Sequence, residues 1–294
     1  MIGAIINCFV AYAVYHFVFE ISLVLISRML NSVVWVNVGQ RFVLITGSTD
    51  GIGKAIALKL AQKGKKLLLL GRNSEKLEAV RKEALVHLKK EEYVITAQYD
   101  FSTEQDFSNL PDVPIGMLIN NAGLSSEHPE FIEEESNAIK MININNINLV
   151  KLTQNIIPKM AQDSYIINIG SGLASMETPL LAAYSATKAY VKHFSHSIYF
   201  ELAHKKIFCQ YVAPNLVSTK MTKVRSSFFT PTAETFADAF VKTIGSHYRI
   251  SPYLPHTLQN IVLGLLPSNF IGTFFYGRNL KIRTKAIAKK LKEQ

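Results

Sequence analysis

Apolar residues fall into two patterns along this chain. From Met1 to Ser27 they run nearly unbroken, with Glu20 the only charged side chain, and a helical run of that length crosses a hydrocarbon layer of ~30 Å. The opening therefore predicts a transmembrane anchor over residues 1–30, followed by a connector from Asn31 to Gln40. A cleaved signal peptide would show a basic stretch before the run and an Ala-x-Ala site after it, and this chain has neither. Beyond the connector, short apolar blocks alternate with amphipathic stretches. Phe42 to Ile45, Lys66 to Leu70, Tyr93 to Gln98, Ile115 to Ile119, Tyr165 to Ile169 and Ile207 to Val212 read as buried strands. Lys54 to Gln62, Ser74 to Lys90 with Ser74 as N-cap, and Ser136 to Ala161 read as helices. Such alternation, with no repeat or low-complexity linker, predicts an α/β fold with a doubly wound parallel sheet over residues 40–250. Residues 258–276 are apolar again but hold Pro267, Gly264 and Gly272. They read either as a segment dipping into a bilayer or covering the active site, or as a buried helix pair, within a C-terminal extension over 251–294.

Composition adds location. The chain has 294 residues, 48% of them hydrophobic, enough for one catalytic domain of about 240 residues plus appendages. Much of the +10 net charge lies in the tail from Arg278 to Lys292, which suits anionic lipid headgroups. No groove-reading motif accompanies that charge, so a membrane surface, not nucleic acid, is the expected partner. The end, Lys290-Leu-Lys-Glu-Gln294, is similar to the KxKxx retrieval signals of endoplasmic-reticulum membrane proteins. Together with Arg28 and Arg41 after the anchor, it places the catalytic domain on the cytosolic side of that membrane. Cys8 and Cys209 make no disulfide framework, and the eight histidines hold no HExxH or other paired metal spacing.

Candidate chemistry centres on Tyr184-Ser-Ala-Thr-Lys188. Tyr and Lys four residues apart on a helix share a face, and an ammonium near a phenol lowers the phenol's pKa, making a proton donor. Ser171 follows the apolar strand at its carboxyl end, where open α/β sheets bind ligands. Thr46-Gly-Ser-Thr-Asp-Gly-Ile-Gly53 lies between a strand and a helix, and so forms a phosphate cradle. At the end of the second strand, Gly71-Arg72-Asn73 offers no acid for ribose hydroxyls, and Arg72 suits the 2′-phosphate of NADP.

With its glycine stretch, Asn120-Asn-Ala-Gly123, Ser171 and YxxxK in that order, the chain resembles the short-chain dehydrogenase/reductase family over roughly residues 40–250. Met141-Ile-Asn-Ile-Asn145 and Pro179-Leu-Leu181 bring it nearest the membrane-bound 17β-hydroxysteroid dehydrogenase branch, types 3 and 12, which includes very-long-chain 3-oxoacyl-CoA reductases. The resemblance implies a Rossmann-type sheet, NADP(H) as cofactor, and a catalytic set of Asn145, Ser171, Tyr184 and Lys188. Asn143 is the alternative to Asn145. For the cofactor it implies Gly47, Ser48, Thr49, Asp50, Gly51, Ile52 and Gly53 around the phosphates and Asp100 at the adenine. Asn121 and Ala122 would border its ribose, Tyr184 and Lys188 the nicotinamide ribose, and Pro214, Val217 and Thr219 the carboxamide. Asn215 stands where the family has glycine, and asparagine tolerates positive φ. Lys220, Lys223 and Arg225 on the following loop would either meet coenzyme A phosphates or remain free surface charge. The implied reaction is NADPH-dependent reduction of a lipid ketone, a 3-oxoacyl-CoA of very-long-chain fatty acid elongation or a 17-oxo steroid. A catalytically idle membrane-bound scaffold is the reading from another class, and family members commonly form homodimers.

Overall fold

A computed structural model describes residues 2–293. Its centre is a seven-stranded sheet in the order β3-β2-β1-β4-β5-β6-β7, parallel throughout. In chain order the elements are α1 (Ile2–Val38), β1 (Phe42–Thr46), α2 (Gly51–Gln62), β2 (Leu67–Gly71), α3 (Ser74–Leu88), β3 (Val94–Gln98), β4 (Ile115–Asn120), α4 (Ala138–Ile142) and α5 (Asn148–Ile156). Then follow β5 (Met160–Ile169), α6 (Ala182–Glu201), β6 (Ile207–Val212), α7 (Ala233–Val241), β7 (Arg249–Ile250), α8 (Leu254–Gly264) and α9 (Ser268–Glu293).

Strands buried on both faces produce two cores. Val43, Ile45, Leu67, Leu69, Met117 and Ile119 face α2, α3 and α7, whereas Leu44, Leu68, Leu70, Leu118 and Ile166 face α5 and α6. Period-two alternation along each strand divides them this way. Where β1 neighbours β4 the chain order reverses, and the crevice outside the carboxyl ends of those strands is where the fold admits a ligand.

Several expectations change. α1 does not stop at a connector but continues to Val38, because Val24, Val34 and Val38 are buried in the first core. Asn37 Nδ2 donates to the Tyr165 hydroxyl at 3.0 Å, and Arg249 holds Glu20 at 2.5 Å. Among the described residues no single helix is long and apolar enough to cross a membrane; Val10–Ile26 is apolar but short. Leu254–Gly264 and Ser268–Lys292 satisfy length and apolarity only as a pair, bent by 120°. The cap of α3 is Asn73, whose Oδ1 accepts from the Lys76 amide at 2.8 Å, and not Ser74. The helix expected over 136–161 breaks into α4, a π-helical turn at Asn143–Ile147, and α5. Pro158 then closes it and β5 begins at Met160. A short seventh strand, β7, extends the edge beyond β6.

Candidate functional site

The loop leaving β1 turns sharply, with Gly47 at φ +64° and Gly51 at φ +54°, values that L side chains rarely adopt. Gly53 is glycine for room: a Cβ there would lie 2.3 Å from both the Gly47 carbonyl oxygen and the Asn121 amide. The close approach is tied by hydrogen bonds. Asn121 Nδ2 donates to the carbonyls of Thr46 (3.0 Å) and Gly47 (3.1 Å), and the Thr46 hydroxyl accepts from the Asn121 and Ala122 amides at 2.9 Å each. Asp50 caps α2 through the Gly51 amide at 2.8 Å and meets Lys220 at 3.0 Å. Burial pushes its carboxyl up, but these two contacts outweigh that and hold it below its ordinary value.

A cavity of about 350 Å³ opens against this turn. Thr49, Asp50, Gly51 and Ile52 line it together with Asn121, Ala122, Gly123, Ser171, Tyr184, Lys188, Pro214, Val217 and Thr219, and Thr219 stands beside Gly51, whose Cβ would lie 3.3 Å from its Cγ2. Ser48 and Gly53 stand behind the wall, and the buried Ser48 hydroxyl donates to the Leu70 carbonyl at 3.2 Å. Arg72 and Asp100 are exposed at the ends of β2 and β3, outside the lining. Hydrogen bonds from Ser102, and then the Arg72 charge, hold the Asp100 carboxyl below its ordinary value.

On this lining α6 presents Tyr184 half-buried and Lys188 buried at 5% exposure. The ammonium lies 5.9 Å from the Tyr184 ring centre and donates to the Ile169 carbonyl at 3.1 Å. The phenol is not lowered as the spacing suggests. Burial raises it above its ordinary value, opposed by the hydrogen-bonded Ser171 hydroxyl, and burial lowers Lys188 to about 8. A low-dielectric pocket disfavours the charged form of each group.

The three asparagines of the π-helical turn and Asn148, which opens α5, separate cleanly. Asn143 and Asn148 hold the 101–105 loop, and Asn146 donates to the Thr187 carbonyl. The Asn145 Oδ1 accepts from the Leu124 amide at 2.8 Å, and its Nδ2 donates to Thr187 Oγ1, between Tyr184 and Lys188 on α6, at 2.9 Å. Asn215 does not adopt the positive φ its substitution for glycine suggests. Instead its side chain lies over Gly172, where a Cβ would meet Asn215 Oδ1 at 1.9 Å. Its amide donates to His256 Nδ1 at 3.3 Å, and burial holds that imidazole down to about 4. Lys220 and Lys223 are exposed at the surface, 3.0 Å from Asp50 and 2.8 Å from Glu127 respectively.

Thr46 and Thr187 sit inside the motifs and could have been singled out from their place. Tyr211 and His256 carry no sequence signal, because their partners lie about 40 residues away.

The short chain dehydrogenase family profile matches residues 41–228. This chain belongs to that family. It is 37% identical over 263 residues to the very-long-chain 3-oxoacyl-CoA reductase of Anas platyrhynchos, covering 85% of this chain and 84% of that one. With the protein of the same name from Homo sapiens it shares 39% over 236 residues, 76% and 75% of the two chains. Among solved structures, the closed form of serine dehydrogenase complexed with NADP+ is 28% identical, with a TM-score of 0.61 over 71% of this chain and 92% of that one. A 7beta-hydroxysteroid dehydrogenase shares the fold, with a TM-score of 0.71 and 18% identity over 82% and 98% of the chains.

Proposed function

We propose that this chain reduces the 3-keto group of a long-chain 3-oxoacyl-CoA to the 3-hydroxyacyl-CoA, with NADPH, as a step of fatty acid elongation. The observation that carries the reading is the convergence of Ser171, Tyr184 and Lys188 on one cavity that the glycine turn also lines. The turn in which Gly47 and Gly51 line the cavity at positive φ, beside the amino end of α2, fits a dinucleotide's phosphates. Arg72, with no acid at the end of β2, favours NADPH. The names of the curated relatives supply the substrate class.

When bound, the reduced dinucleotide supplies the hydride. Ser171 hydrogen-bonds the carbonyl oxygen and stabilises the charge that develops there. Tyr184 gives that oxygen its proton, and Lys188, through its ammonium, would hold the nicotinamide ribose and favours the phenolate left behind. Asn145 sits where it can hold a water between Lys188 and solvent, since a Cβ on Gly123 would be 3.5 Å from both Asn145 Oδ1 and Lys188 Nζ. Residence at the endoplasmic-reticulum membrane, facing the cytosol, belongs to the same reading. Its supports are the apolar stretch within α1 and the bent α8–α9 pair.

The test is product analysis with NADPH, a long-chain 3-oxoacyl-CoA and a 17-oxo steroid. Reduction of the acyl-CoA is expected, abolished by Tyr184→Phe with NADPH affinity nearly intact. Turnover of the steroid alone, or normal turnover by the variant, overturns the proposal.

A further inference from the structure

A phenol from the neighbouring strand holds both backbone groups of Ser171, whose carbonyl also accepts from the Ala174 amide at 3.2 Å. Gly170 and Gly172 donate their amides to Val212 and Pro214 on the β6 side, each at 2.8 Å. Successive residues of a strand direct their peptide groups to opposite sides, so the Ser171 groups face β4, and β4 has already ended at Asn120. Tyr211 Oη fills that place. It accepts from the Ser171 amide at 3.0 Å and donates to the Ser171 carbonyl at 2.7 Å, and Tyr211 is 1% exposed.

The ring reaches this position only because residue 170 is glycine. A Cβ there would lie 2.0 Å from Tyr211 Cε2 and 2.3 Å from its hydroxyl oxygen. His196 meets the ring edge-on at 5.8 Å, and Leu149, Ala174 and Val191 pack with it, so the phenol has one orientation. Just beyond the clamp Ser171 is extended, at φ −163° and ψ 152°, and opens the tight turn at Gly172–Ser175. Its hydroxyl points back to the Leu173 amide at 3.2 Å and to the Tyr184 phenol.

We infer that Tyr211 is the positioning residue for Ser171: by holding both peptide groups of that one residue, it aims the serine hydroxyl at the carbonyl being reduced. Gly170 is its required counterpart. The role rests on the reductase reading above, in which Ser171 polarises the substrate. A buried phenol suits the task because it offers one acceptor and one donor on the same atom. Burial raises its pKa, so it keeps its proton through the working pH range.

The experiment is a double-mutant cycle. Tyr211→Phe keeps the ring and removes only the hydroxyl. Expected is a fall in kcat of roughly 10- to 100-fold, the scale of a misplaced catalytic group, with KM for NADPH within about twofold, the spread left when nucleotide contacts are untouched. In a Ser171→Ala background the same change is expected to cost less than about twofold, because the group it positions is gone. An equal loss in both backgrounds, or none in the native one, overturns the inference. Gly170→Ala serves if Tyr211→Phe fails to fold: its Cβ displaces the hydroxyl without deleting it, and native kcat in that variant is equally fatal. A readout independent of substrate separates this inference from the reaction proposed. The Ser171 amide is expected to exchange with solvent at least about tenfold faster in either variant. Unchanged exchange sinks the clamp whatever ketone the enzyme reduces, whereas native protein inactive on 3-oxoacyl-CoA but with slow Ser171 exchange sinks only the substrate reading.

Discussion

Lys188, buried at 5% exposure, donates its ammonium to the carbonyl of Ile169, the last residue of β5, at 3.1 Å. That bond ties the catalytic helix to the strand carrying Ser171. It does not offset burial, which brings the amine from 10.5 down to about 8. A base whose pKa falls on folding binds fewer protons in the native than in the unfolded chain between those two values. Native stability is therefore reduced below pH 8, and the reduction fades as pH rises toward 10.5. At 1.36 kcal/mol per unit the full effect is roughly 3 kcal/mol. Lys188→Met is expected to be more stable than the native chain at pH 7, by about 1–3 kcal/mol once the lost hydrogen bond is counted, and nearly inactive. Denaturant midpoints across pH 7–10 check it: the native midpoint rises, the variant's stays level. In the native enzyme, kcat/KM for reduction should fall as pH passes about 8 and the ammonium discharges.

How much of this site the sequence disclosed depended on the range of each interaction. The glycine turn, the Tyr184–Lys188 spacing and the strands through β6 are local patterns, and each stands within a residue or two of its expected place, β5 aside, which begins at Met160. Asn145 was separable from Asn143 only through the Leu124 and Thr187 contacts, which form across the fold. The π-helical turn was hidden because its residues, Asn143 to Ile147, include no glycine or proline to mark a break. A helix apolar on all sides looks the same whether lipid or protein covers it, so the burial of Val24 within the expected anchor, and of Val34 and Val38 beyond it, could not be read from the run. The raised Tyr184 phenol could not be read at all, since spacing carries the neighbouring charge but not the desolvation.

Glycines divide by what surrounds them, and substitution should follow. Gly53→Ala drives a methyl into the Gly47 carbonyl at 2.3 Å, which backbone cannot yield cheaply. NADPH affinity is expected to fall by more than about 100-fold, with a loss of about 1–3 kcal/mol in stability. Gly277, within α9, has nothing within 4 Å of its missing Cβ. Gly277→Ala should stabilise by about 0.5–1 kcal/mol and leave activity unchanged. Thermal melts and nucleotide titration of the two proteins test the contrast.

Arg72 is exposed after β2, and its guanidinium is near enough to Asp100 to lower that carboxyl. Were it the 2′-phosphate contact, Arg72→Ala would weaken NADPH by roughly 10- to 100-fold, the loss of one or two charge-assisted hydrogen bonds. NADH binding would change less than about twofold, having no 2′-phosphate to lose. Equal losses for both nucleotides would remove Arg72 from the site.

The N-terminal helix offers the last test, because its two ends have different surroundings. Tyr12, Val14, Tyr15 and Val18 are exposed, whereas Val24, Val34 and Val38 are 1%, 4% and 0% exposed within the first core. Gly245, at φ +75°, accommodates this packing: a Cβ there would lie 2.5 Å from Val34 Cγ2. Each buried valine contributes about 1.5–3 kcal/mol, so the second half of α1 belongs to the catalytic domain energetically. Deleting residues 1–18 should leave a folded reductase with native kcat. Val38→Asp, which buries an unpaired carboxylate, should cost more than about 3 kcal/mol, and deletion through Val38 should give aggregated protein. If the chain lacking residues 1–38 melts at the native temperature, α1 is only an anchor and its contacts with the sheet carry no stability.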